Sequence, residues 1–163
     1  MGYIEDLRAV IGARSVILNG CCAVLVNDQA EVLLQQRNEP QKRWGLPGGL
    51  MEMGETTQAT VVREVAEEAG LHIEPDALQL LNVYSGPDHH VIAPNGDEFY
   101  NVVIAYYAEN VAGTPRISDG ESLQYAWVPL TQLPANMVAT HAEAIQEYLR
   151  RVLRAPLSEE ENK

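Results

Sequence analysis

A chain of 163 residues, 46% of them apolar and without a low-complexity tract, is long enough for one domain with its own core. Its formal charge of −12 repels nucleic acid and anionic membranes, and no apolar run reaches the length of a membrane span. The cysteines Cys21 and Cys22 are neighbours, which a strand points to opposite faces; with no leader-like start, reduced, packed thiols and a cytoplasmic setting are expected.

In chain order, residues 3–11 place Ile4, Leu7 and Ile11 at helical spacing and stop at Gly12, a suitable C-cap. This short amphipathic helix carries no chemistry and reads as a lid on a sheet edge or a dimer contact. Residues 15–26 are rich in aliphatic side chains, Asn27-Asp28 is a turn signal, and residues 31–36 read as a second strand, so a hairpin is expected. Gly20 suggests a kink or bulge in the first strand. Arg37 closes the second strand, residues 38–42 form a loop, and Trp44 to Gly49 follow as W-G-L-P-G-G. Those glycines let backbone come close to a ligand. Trp44 either stacks on a base or joins the core.

Residues 56–69 read as a helix, with Thr56 as N-cap and Gly70 just past the C-terminus. Ala59, Val62, Val65, Ala66 and Ala69 make its expected apolar stripe. Glu64, Glu67 and Glu68 lie at i, i+3 and i+4, so three carboxylates crowd one side, with Glu52 and Glu55 just upstream. Like charges so placed repel unless neutralised, and hard oxygen donors suit Mg²⁺ or Mn²⁺. The plain alternative is a solvated acidic face.

Strands are expected at 78–84 and 99–108. The intervening 85–98, with Pro87, His89, His90 and an Asn95-Gly96 turn, is long enough for a substrate loop. The paired histidines lack a third nitrogen or sulfur ligand nearby, which argues against a metal site there. Asp119-Gly120-Glu121 precede a last strand at 123–128, and Ile145, Leu149 and Leu153 mark a packing helix over 138–153. Residues 1–155 thus form a single α/β domain, and 156–163 a solvated acidic tail.

Gly49, Glu55, Arg63, Glu64, Val65, Glu67, Glu68, Gly70 and Leu71 fit G-x5-E-x7-R-E-U-x-E-E-x-G-U, where U is aliphatic, at every specified position. Chance would produce such a match in fewer than about one chain in a million. The chain therefore resembles the Nudix hydrolase family (the MutT-like and ADP-ribose pyrophosphatase-like enzymes). The resemblance implies an α/β/α sandwich with a mixed sheet between helices. It also implies hydrolysis of the pyrophosphate of a nucleoside diphosphate derivative, such as ADP-ribose or a (deoxy)nucleoside triphosphate, with Mg²⁺ or Mn²⁺. By the same resemblance Gly49, Glu64, Glu67, Glu68 and Glu121 are candidate metal ligands. Either Glu67 or Glu121 would be the general base, Arg63 would orient a box glutamate, above all Glu55, and Gly70 is structural. Arg37 either faces the substrate phosphates or lies on the surface, Trp44 is a further substrate candidate, and Pro87 leans towards ADP-ribose. Glu121 could instead be an exposed loop acid. A homodimer fits the family, and RNA-cap removal sits poorly with the charge. The alternative function is a silent Nudix module that senses a nucleotide, although such a module would tolerate loss of the box glutamates, all of which are present.

Overall fold

Strand β1 (Val16–Leu25) sends alternate side chains into two separate cores, and the layering follows from that split. Cys21, Ala23 and Leu25 face Val61, Val65 and Ala69 of helix α2 (Thr57–Ala69). Cys22 and Val24 face Ala144, Ile145 and Tyr148 of helix α3 (Ala139–Tyr148). The adjacent cysteines therefore lie on opposite faces, both free and buried. Burial pushes their thiols up to about 11 and about 12. The computed structural model describes residues 2–118 and 120–153, so the expected tail lies outside the described residues.

The remaining strands are β2 (Glu31–Arg37), β3 (Trp44–Gly45), β4 (Gly48–Leu50), β5 (Gln79–Tyr84), β6 (His90–Ile92), β7 (Glu98–Ala108) and β8 (Ser122–Pro129). In the larger sheet the order is β4-β1-β7-β5, with β6 also paired to β7. β1 and β7 run parallel from Val16↔Phe99 to Leu25↔Ala108; the other pairs are antiparallel, so the sheet is mixed. A second sheet has the order β3-β2-β8. With α2 on one face and α3 on the other, the α/β/α sandwich stands as expected. Among the described residues no helix is long and apolar enough to cross a membrane.

Several local expectations are corrected. β1 and β2 do not form an extended hairpin: they belong to different sheets, and their backbones pair only at the turn, through the bridge Val26↔Val32 and the Asn27 amide on the Glu31 carbonyl. Gly20 introduces no bulge, because the β1–β7 register runs unbroken through Gly20↔Val103; a β-carbon there would meet Asn101 Oδ1 at 3.0 Å. The inward face of α2 is Thr60, Val61, Val65, Glu68 and Ala69, a rotation from the expected stripe that leaves Ala66 exposed. Residues 85–98 are not all loop: Pro87–His89 make a 3₁₀ turn and β6 then pairs with β7. The last helix changes to a wider π turn over Leu149–Leu153.

Helix α1 (Tyr3–Ile11) buries no side chain completely and is tied down by polar contacts. The Tyr3 amide donates to Glu52 Oε2 at 2.7 Å, and Arg8 Nη2 donates to the Glu98 carbonyl at 2.9 Å. It thereby straps the loop before α2 to the start of β7.

Candidate active site

The site is built from α2 and the glycine-rich β4 loop facing it. Helix α2 starts where Thr56 Oγ1 accepts the Ala59 amide at 3.1 Å and stops at Gly70, whose φ of 67° suits glycine. Its first turns position Arg63. Nε and Nη2 of that guanidinium donate to the two Glu55 oxygens at 2.5 and 3.1 Å, and Nη2 also reaches the Leu50 carbonyl at 3.2 Å. Thr60 Oγ1 (2.8 Å) and the Glu52 amide (2.9 Å) complete the donors around Glu55. Held mainly by Arg63, the Glu55 carboxyl is pulled down to about 2. Arg63 is correspondingly held protonated, chiefly by Glu55.

The three carboxylates one turn further on occupy different environments. Glu64 is largely covered, and burial shifts its pKa upward; Arg63 opposes that shift, while the charges of Glu67 and Glu121 add to it. Its Oε1 accepts Arg63 Nη1 at 2.9 Å. Glu68 is 6% exposed and faces the Gly48 amide at 3.3 Å. Glu67, with its side chain 61% exposed, accepts Arg63 Nη1 at 3.2 Å and otherwise points outward. Gly49 sits close against Glu64: a β-carbon there would lie 2.3 Å from Glu64 Oε1, so the carboxylate would have to move. At Gly48, where φ is 154°, it would lie 2.1 Å from the Cys21 carbonyl oxygen. The loop backbone thus presses directly against the carboxylates.

The structure brings together Gly49, Glu55, Arg63, Glu64, Glu67 and Glu68, and Glu121 acts on Glu64 through its charge. Glu121 also anchors a turn, its carbonyl accepting the Asn38 amide at 2.8 Å. Glu52 is turned away from the cluster to receive α1. Arg37, at the end of β2, has Nε 3.5 Å from Glu39 Oε2. Trp44 is half-buried against the α3-side core, and Pro87 opens the 3₁₀ turn after β5. His89 and His90 diverge: His89 Nδ1 meets Thr140 Oγ1 at 3.2 Å, and His90 Nε2 meets Glu98 Oε2 at 3.3 Å. Two contributors were not foreseen from sequence, Thr60 on Glu55 and His141, whose Nδ1 accepts the Leu46 amide at 2.9 Å. A threonine inside a helix and a lone histidine 95 residues from its partner carry no motif.

The NUDIX domain family matches residues 18–148, most of the chain and all of this site. The chain belongs to the Nudix family. Human 8-oxo-dGDP phosphatase NUDT18 is 39% identical over 140 residues, which are 83% of this chain and 40% of that protein. The ADP-ribose pyrophosphatase of Methanocaldococcus jannaschii is 32% identical over 128 residues, 78% of this chain and 70% of that one. Among solved structures, the Nudix domain of Shewanella oneidensis NrtR complexed with ADP ribose superposes with a TM-score of 0.69 at 26% identity. It covers 93% of this chain and 99% of that one. The chain thus spans well under half the length of the human relative.

Nudix hydrolases generally use divalent metals, and the donor chemistry fits such a cation. Several hard oxygen ligands share one patch, one of them is disfavoured as a bare anion by burial and by like charge, and Gly49 leaves room for no side chain beside it. Among the described residues no three acidic, histidine or cysteine side chains form a ready cage. In this arrangement Arg63 takes up Glu64 and Glu67, and Glu68 faces the Gly48 amide.

Proposed function

We propose that this Nudix domain hydrolyses the pyrophosphate of a purine nucleoside diphosphate derivative with a divalent cation. The observation that carries the reading is the complete box set of Glu64, Glu67 and Glu68 on α2, packed under the Gly48-Gly49 backbone. A purine nucleoside diphosphate is the chemistry common to the 8-oxo-dGDP and ADP-ribose in the relatives' names. Glu64, Glu67 and Glu68, joined by Glu121 and the Gly49 carbonyl, would hold Mg²⁺ or Mn²⁺. Such an ion supplies positive charge against the pyrophosphate oxygens.

The chain's own residues do the rest. Arg63 keeps Glu55 through Nε and Nη2, so Nη1 can give up Glu64 and Glu67 without the guanidinium losing its place. Glu67, the most exposed of the three, takes the proton of the attacking water as oxygen adds to phosphorus and the bridging P–O bond breaks. Glu121, whose charge acts on Glu64, is the other candidate for the base.

The test is a panel of ADP-ribose, 8-oxo-dGDP, sugar nucleotides, dinucleoside polyphosphates and dNTPs with Mg²⁺ or Mn²⁺, with and without EDTA. Conversion of a purine diphosphate derivative to nucleoside monophosphate, abolished by EDTA and reduced at least ~10³-fold in Glu67→Gln at unchanged Tm, is expected. A folded protein silent across the panel would overturn the reading in favour of a nucleotide sensor. Near-normal turnover in Glu67→Gln would remove that residue from the role of base.

A further inference from the structure

Helix α3 lies on the far face of the sheet from α2, yet one of its side chains reaches the loop that carries the site glycines. His141 Nδ1 accepts the Leu46 amide at 2.9 Å, so that nitrogen is unprotonated and the ring proton sits on Nε2. Burial, together with the charges of Arg37 and Arg43, pushes the imidazole down to about 3, and the acceptor persists at neutral pH. The ring fits because residue 45 is glycine: a β-carbon there would stand 2.7 Å from Nδ1. On the N-terminal side of the contact the backbone is pinned as well. The Trp44 amide donates to the Asn136 carbonyl, and the Val138 amide to the Trp44 carbonyl, both at 2.8 Å.

From Leu46 the chain has little freedom before it reaches the carboxylates. The Pro47 carbonyl accepts the Ala23 amide at 3.2 Å, the Gly48 amide points to Glu68, and Gly49 abuts Glu64. We propose that His141 is a positioning residue, which fixes the 45–49 loop from the opposite side of the sheet so that the Gly48 amide and Gly49 backbone meet Glu68 and Glu64. This rests on the hydrolase reading for its effect on rate, but its structural part stands alone.

The experiment compares His141→Leu, which fills the space without an acceptor, with His141→Asn, whose Oδ1 can take the place of Nδ1. Expected are a fall in kcat of roughly 10- to 100-fold for His141→Leu at nearly unchanged KM, and recovery to within a few-fold in His141→Asn. Amide exchange supplies a readout independent of turnover. Leu46 should lose protection in His141→Leu and keep it in His141→Asn, while the β1 and β7 amides stay protected in both. Wild-type Leu46 protection in His141→Leu would overturn the proposal. So would equal damage in both variants, with or without loss of sheet protection, because the acceptor would then not be what matters. If the wild type hydrolyses nothing, the hydrolase reading fails while the exchange data still decide the role of His141.

Discussion

The two faces of the larger sheet are packed on different terms. Behind α3 the buried helical residues are Ala144, Ile145 and Tyr148, and the Tyr148 hydroxyl finds Glu109 at 2.7 Å. Behind α2 the inward face gives two of its five buried positions to Thr60 and Glu68. Burying a carboxylate and a hydroxyl stabilises nothing unless they are hydrogen-bonded, and both are, to the glycine loop and to Glu55. Both faces are therefore held by apolar area, but the α2 face gives part of its buried surface to contacts that also set the site. A helix that gives up packing in this way marks where the chemistry is.

Substitutions can break or sharpen that contrast. The largest effect is expected for Gly49→Ala, whose added methyl would meet Glu64 Oε1 at 2.3 Å. Turnover should fall by about 10²-fold or more and the Mg²⁺ requirement should shift upward, as a cation titration would show. Ile145→Ala, on the apolar face, should cost about 2–5 kcal/mol in denaturant unfolding while leaving kcat per folded molecule near normal. An effect on kcat as large as that on stability would erase the distinction between the faces.

A smaller effect should appear in acid. The Glu55 carboxyl is pulled down to about 2 from an ordinary 4.5, so its contribution to stability is complete above the higher value and is lost as pH falls towards the lower. Glu55→Gln should therefore be less stable than wild type at neutral pH, and the gap should close between about 4.5 and 2 in acid-unfolding curves. Smallest of all, Thr56→Ala removes the acceptor for the Ala59 amide and should cost about 1 kcal/mol, with helix α2 fraying at its start.

Most of the site could be read from the sequence, because a metal-ready carboxylate set has to be dense and local. Glu64, Glu67 and Glu68 sit within a turn and a half, and the helix ends are set locally, by the Thr56 hydroxyl at the start and the left-handed backbone of Gly70 at the finish. What could not be read depends on contacts made at a distance. Hydropathy put Ala66 inside and was silent on Glu68; the Gly48 amide, 20 residues away, draws Glu68 in. Asn27-Asp28 does turn the chain, but β1 is claimed by β4 and β7 and β2 by β8, so the local turn signal overstated the pairing. His141 was missed for the same reason: its meaning lies in Leu46 and Gly45, and neither its neighbours nor its helical face disclose it.

The parallel pairing of β1 with β7 also dictates an order of events during synthesis. β1 is made before β7, and the partner it needs along its full length ends only at Ala108. Until that strand has left the ribosome, neither core can close, and the apolar side chains of Val16 to Leu25 stay open on both faces. Loop closure over such a span is slow, and the open edge is prone to associate with other nascent chains. For this fold the vulnerable interval lasts until β7 and then α3 have emerged, and that is when a holding chaperone would have most to protect.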